Sequence, residues 1–233
     1  MGILRTELIQ FPNKEQFRII HKDLNIDMNE FRENEILFYE WIENHEYLPK
    51  YYEKHLVQNF LRMCKNNLDK AKIKFENYVE ARSIYGHIFQ NRFLEEDAFK
   101  DSLTHRCLAV VPQLTEDCYR ILILKIPKNN MSGEDFYECM RYILLNADFG
   151  LANTSEAGHI CIIDCTFLPE KLKQRIQIHN SPEDLLECFP PEYIPKEFGG
   201  KSQHCDQNSD NWRRFFIENR IWIRKHDEMK MRD

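Results

Sequence analysis

Glycine is scarce in this chain: seven residues among 233. Loops that cradle phosphates with backbone N–H groups rely on closely spaced glycines, and none of the nucleotide-binding or hydrolase signatures G-x-x-x-x-G-K-S/T, G-x-S-x-G or H-E-x-x-H occurs. A non-enzymatic role is therefore expected. Long apolar runs are missing too. No uncharged stretch approaches the roughly 18 residues needed to cross a bilayer. The opening MGILRTELIQFPNKEQ turns polar too soon for a secretory signal, so a cytoplasmic location is expected. There is no cationic excess: 32 Lys and Arg face 38 Asp and Glu, a net charge of -6, which argues against a general nucleic-acid binder. Cysteine is present in eight copies, but never as C-x-x-C, and buried free thiols are the natural reading. His159, Cys161 and Cys165 could share a strand face, yet no second ligand pair accompanies them, so neither a metal nor a cofactor is expected.

What is present reads as a folded chain with two textures. Hydrophobic residues make up 42% and charged residues 30%, enough for a sizeable core. Residues 13–48 carry helical patterns, with Phe31, Ile36, Leu37, Trp41 and Ile42 offering an apolar side and Pro49 ending it. A second helical region covers 54–82. Asn67 suits an N-cap there, and Leu68, Ala71, Phe75, Tyr78 and Val79 recur at helical spacing.

The texture then changes to strands. Tyr119–Ile126 is rich in β-branched and apolar residues and is closed by Pro127, as in a strand buried on both faces. Ser132 and Asp135 form a capping-box signature, and the helix they open carries a stripe of Phe136, Met140, Ile143 and Leu144. Gly158–Cys165 reads as a second buried strand, completing a βαβ unit. A short strand Ile176–His179, a capped helix after Ser181, a Pro-rich stretch and a last helix bearing Trp212, Phe215, Phe216, Asn219 and Ile223 follow.

Three ordered segments resemble the CRAL-TRIO family of lipid carriers. They are Phe60-Leu-Arg62 with Leu68-Asp-Lys-Ala71 and Tyr78-Val-Glu-Ala-Arg82; Tyr119 to Asp164; and Lys171 to Gly200, which ends in Pro-x-x-Ile-Pro-x-Glu-Phe-Gly-Gly. The nearest relatives by this resemblance are carriers of the tocopherol-transfer and clavesin type. It implies an α/β fold: an N-terminal helical bundle over residues 1–100, then an α/β lipid-binding domain with a mostly parallel sheet over 101–233. It further implies binding and transfer of one hydrophobic lipid, tocopherol-, retinoid- or carotenoid-like, at membranes bearing phosphatidylinositol bisphosphate. The stripe Phe136, Met140, Ile143 and Leu144 would face the lipid pocket; the competing reading is ordinary core against the sheet. Lys171, Lys173 and Arg175, with Arg62 and Lys65, would hold the phosphoinositide headgroup, where clustered cations suit phosphate oxygens. Cys64 stands where the family has a further cation. A solvated charged face is the plainer reading of the same residues.

One block of the family pattern is missing. Only ten residues separate Cys165 from Ile176, whereas a parallel crossover needs a dozen or more. By comparison with the family, the central strand and the gate helix are absent at this junction. The expected consequences are exposed apolar surface, a homodimer through that surface, or a shallow groove in place of a closed cavity. The alternative function is a membrane or protein interaction module that carries no enclosed lipid.

Overall fold

The structure is a computed structural model that describes residues 8–90, 92, 106–125, 131–164 and 184–232. In chain order its main elements are α1 (Lys14–Asp23), α2 (Met28–Asn44), α3 (Lys54–Met63), α4 (Leu68–Ile84), α5 (Gly86–Phe89), β1 (Leu108–Leu114), β2 (Tyr119–Leu124), α6 (Gly133–Asn153), β3 (Gly158–Ile163), α7 (Leu185–Cys188), α8 (Cys205–Glu218) and α9 (Arg220–Asp227). Packing groups them into two units, each discontinuous in sequence. One holds residues 11–94, 144–157 and 219–233; the other holds 1–10, 95–143 and 158–218. Residues 144–157 and 219–233 thus pack with the helices of 11–94, and the strands belong to the other unit.

In the helical unit, side-chain caps set the helix starts. Asn13 accepts from the N–H groups of Glu15 and Gln16 while Gln16 returns a bond to the Asn13 backbone, a full capping box. Asp27 accepts from Asn29 and Glu30, and Asn67 accepts from Lys70 as the sequence suggests. The core is built on Phe31, Phe38, Ile42, Leu56, Phe60, Phe75 and Val79. Phe75 receives the edges of Phe38 and Phe60 at 5.7 and 5.6 Å between ring centres. This corrects the stripe assigned to α2. Ile36 and Leu37 are exposed, at 58% and 48%, because the buried face runs Phe31–Phe38–Ile42 and turns those two outward.

Helix α3 ends in a Schellman motif. The Asn66 N–H returns to the Leu61 carbonyl and the Lys65 N–H to that of Arg62, both at 2.8 Å. The motif puts Lys65 at φ 50° and Asn66 at φ 62°, so an ordinary L-residue occupies the position glycine usually takes.

The second unit contains a three-stranded sheet in the order β1-β2-β3. β2 pairs parallel with β3, from Tyr119 opposite Gly158 to Leu124 opposite Ile163, as a βαβ unit through α6 requires. β1 pairs antiparallel with β2, with an irregularity between Val110 and Leu114. The described sheet is therefore mixed, with one parallel and one antiparallel pairing. Arg120 of β2 is 1% exposed; its guanidinium bonds the carbonyls of Val111, Pro112 and Gln10.

Helix α8 seals the outer edge of β1 with side chains. Asn208 accepts from the Val110 N–H and donates to the Val110 carbonyl, both at 2.9 Å, in the manner of a neighbouring strand. Ser209 donates to the Leu108 carbonyl at 2.7 Å. One sheet face, with Ala109, Val111, Ile121 and Ile123, packs with Cys205, Phe189, Tyr193 and Phe198. Tyr193 and Phe198 each close a 3-10 turn, Pro191–Tyr193 and Lys196–Phe198. The Gly-Gly that closes this segment has a steric reason. Gly199 sits at φ 83°, and a Cβ on Gly200 would fall 1.9 Å from the Ile194 carbonyl oxygen.

Two sequence expectations need correction here. β3 is not buried on both faces: Ile160 and Ile162 join the core cluster, whereas His159, Cys161 and Ile163 are exposed. Among the described residues, the core cluster on the sheet packs against the Ile160–Ile162 side. The final helix is two helices, since the chain leaves helical geometry at Asn219, φ -106° and ψ 24°. The junction 166–175 and the strand expected at 176–179 lie outside the described residues.

Candidate functional site

Helix α6 carries the lipid-facing stripe expected from the sequence. Ser132 and Asp135 cap it reciprocally, Asp135 accepting from the Ser132 N–H and Ser132 from the Asp135 N–H, each at 3.0 Å. The buried apolar residues of the helix are Cys139, Tyr142, Leu145, Phe149 and Ala152, joined by the polar Asn146 and Asp148. Tyr142 donates to the Ser209 carbonyl at 3.3 Å and meets the Phe216 ring edge-on at 6.2 Å. The expected stripe is displaced around the helix from that face. Phe136 is 61% exposed and Met140 37%; Ile143 and Leu144 are half-buried. For Phe136 and Met140 the ordinary-core reading therefore fails.

Of the five basic residues expected at the headgroup, the structure describes Arg62 and Lys65. Lys171, Lys173 and Arg175 lie outside the described residues. Lys65 is exposed at the end of α3. Arg62 is only 6% exposed. Its guanidinium donates to Asn59 Oδ1 at 3.0 Å, Ser155 Oγ at 3.1 Å and His21 Nε2 at 3.3 Å, and it lies over the rings of Phe31 and Phe17 at 5.2 and 5.5 Å. No carboxylate forms an ion pair with it among the described residues. Burial pulls its pKa down to about 10, against partial support from Glu35 and Tyr39. His55 bonds Ser155 Oγ at 2.9 Å. His21 and His55 are both held below the usual histidine range, first by burial and then by the Arg62 charge.

Sequence reasoning missed a buried ionic network in the same helical unit. Asp148 of α6 lies between Arg82 and Arg92, and Arg92 also grips Asp227 of α9 at 2.7 Å. The Tyr78 hydroxyl donates to Asp148 at 2.9 Å and meets His226 Nε2 at 3.0 Å, while His226 Nδ1 reaches Glu53 at 3.3 Å. Burial alone would raise the Asp148 pKa; the adjacent Arg82 and Arg92 outweigh it and hold the carboxyl well below its ordinary value. Burial would likewise lower His226, but its bonds to Asp148 and Glu53 raise it instead. The sequence signal was Tyr78 with Arg82 one turn on, polar tips on an otherwise apolar face.

Comparison with known families matches residues 28–99 to the Pinta-like, UBA domain and residues 166–200 to the CRAL/TRIO domain. The second match is partial, and only 184–200 of it falls among the described residues. It supports the CRAL-TRIO family, whose members bind hydrophobic small molecules, and the helix-rich α/β fold with a small sheet is compatible with a partial domain of that kind. No curated protein matches the chain. Among the described residues, no helix is long and apolar enough to cross a membrane.

Proposed function

We propose that this chain is a non-catalytic binder of a hydrophobic lipid, tocopherol-, retinoid- or carotenoid-like, which it picks up through the α6 stripe and delivers at phosphoinositide-bearing membranes. The observation that carries this reading is the exposure of Phe136 and Met140 on a helix whose other face is buried. Covering a large apolar side chain is worth about 1.5–3 kcal/mol, so an apolar ligand has a physical reason to lie there. The CRAL/TRIO match over 166–200 supports the lipid-binding part of this reading, and the membrane step draws on the resemblance of Lys171, Lys173 and Arg175 to a headgroup cleft. On this reading the protein docks peripherally and reversibly.

A transfer assay tests it. Fluorescent lipid moves from donor vesicles to acceptors with or without phosphatidylinositol bisphosphate. Transfer should require the protein, rise with the phosphoinositide, and fall in the Lys171→Ala, Arg175→Ala variant. Absence of transfer to either acceptor would reject the carrier.

The same exposure favours a second reading, because an enclosed pocket would not leave Phe136 61% exposed. In that case the protein is a membrane-interaction module, or a dimer that buries the stripe against a second copy. Vesicle sedimentation without lipid extraction would support the module, and a concentration-dependent dimer broken by Phe136→Glu would support the second.

A further inference from the structure

Arg62 is a buried cation whose hydrogen-bond partners among the described residues are all neutral: Asn59, Ser155 and His21. Burying a charge without a counter-charge is costly, so such a site calls for a physical explanation. Two of the groups on it come from α1. His21 accepts the Arg62 Nε–H at 3.3 Å, and the guanidinium lies 5.5 Å from the centre of the Phe17 ring. The remaining contacts, from Asn59, Ser155 and Phe31, belong to other elements. α1 is one short helix of ten residues in which only Ile20 is fully buried, so few contacts hold it down.

We infer that α1 is an autoinhibitory latch: Phe17 and His21 cover the Arg62 guanidinium, and release of α1 frees it for a phosphate-bearing lipid headgroup. This rests on the phosphoinositide-membrane reading proposed above and extends it to Arg62, which the family resemblance implies as a headgroup residue. The latch is acid-sensitive by its geometry. His21 holds Arg62 through an unprotonated Nε2, and a proton there sets N–H against N–H and breaks the bond. The other charged or titratable groups acting here are Glu35 and Tyr39 on Arg62, and Glu156 on His55, with His55 itself on Ser155. None of them supplies His21 with a carboxylate partner that would favour its protonated form.

The apparent affinity of a site that opens only part of the time falls with its open fraction. Removing a hydrogen bond from a charged donor should raise the open population at least about tenfold. The test uses the full chain and vesicles of phosphatidylcholine containing phosphatidylinositol bisphosphate, with hydrogen–deuterium exchange over Lys14–Asp23 corrected for pH. On going from pH about 7.5 to about 5.5, α1 protection should fall and vesicle binding should rise. His21→Gln keeps a neutral acceptor and should flatten both responses. Phe17→Ala with His21→Ala should bind about tenfold tighter at the higher pH, and adding Arg62→Gln should erase that gain. If the multiple variants lose their helical circular dichroism, the His21→Gln comparison decides.

The latch is refuted by α1 protection that does not change with pH, by a gain that survives Arg62→Gln, or by α1 opening without tighter binding. In any of these cases, vesicle binding still weakened by Lys171→Ala with Arg175→Ala leaves the headgroup reading standing and removes only the latch. Vesicle binding by none of the variants removes both.

Discussion

Replacing Asp148 with Asn should cost the protein a large part of its stability. The substitution preserves shape and removes one charge from the centre of the helical unit. Asn keeps one acceptor oxygen but no charge, so Arg82 would lose its carboxylate partner and keep the Tyr78 carbonyl and hydroxyl at 3.2 and 2.7 Å, while Arg92 would keep the Asp227 carboxylate. Both arginines are nearly inaccessible, with side chains 2% exposed, so water cannot readily replace the lost carboxylate. Breaking a buried pair in this way typically costs about 3–5 kcal/mol, a substantial share of the 5–15 kcal/mol that holds a domain together. In urea denaturation followed by far-ultraviolet circular dichroism, with a slope of roughly 2 kcal/mol per molar, the midpoint should fall by about 1.5–2.5 M. Adding Arg82→Met to Asp148→Asn should restore part of the loss, because the uncompensated cation is the source of the cost. A loss below about 1 kcal/mol in the single variant, or a further loss in the double variant, would refute this account of the network.

The pH dependence of stability should carry the mark of His226. Its pKa is raised in the folded state, so its contribution is fully present below the unfolded value of about 6.5 and is lost as pH rises through the folded one. Denaturation curves of the parent should show stability declining above neutrality, and His226→Gln should remove that slope. Asn208→Ala should destabilise the strand-bearing unit by about 2–3 kcal/mol, because it leaves the Val110 N–H and C=O at a buried edge without partners. Faster deuterium exchange at the Val110 amide is the local readout. Lys65→Gly should raise the thermal midpoint by an amount equal to about 0.5–1 kcal/mol, since φ 50° suits glycine better than lysine.

Much of the fold follows from local rules, and the parts that do not follow fail for identifiable reasons. Caps at Asn67 and at Ser132 with Asp135 were legible because each bonds within three or four residues of itself. β2 was legible because it is a run of apolar residues set centrally in the sheet. β1 was missed: Pro112 and Gln113 interrupt its pattern, and its edge is satisfied by Asn208 and Ser209, about a hundred residues away. β3 has the same apolar texture as β2, but its residues alternate between half-buried and exposed, a tertiary fact that its sequence does not contain. On α2, Phe38 displaced Ile36 and Leu37 from the core because adjacent apolar residues point in different directions around a helix. At the candidate site the α6 stripe was readable, whereas whether it packs as core or faces outward depends on what lies across from it. The ionic network was invisible because Asp148 meets Arg82 and Arg92 across 66 and 56 residues, and no local pattern reports such pairings.

The most direct test of the lipid-binding claim is mass spectrometry of the lipids that co-purify with the protein, run beside a variant carrying Phe136→Glu and Met140→Glu. Both side chains are already exposed, so the variant should fold as the parent does. The account predicts one apolar lipid per parent chain and its loss from the variant. A parent that purifies without lipid, or a variant that retains the same lipid in equal amount, would contradict it.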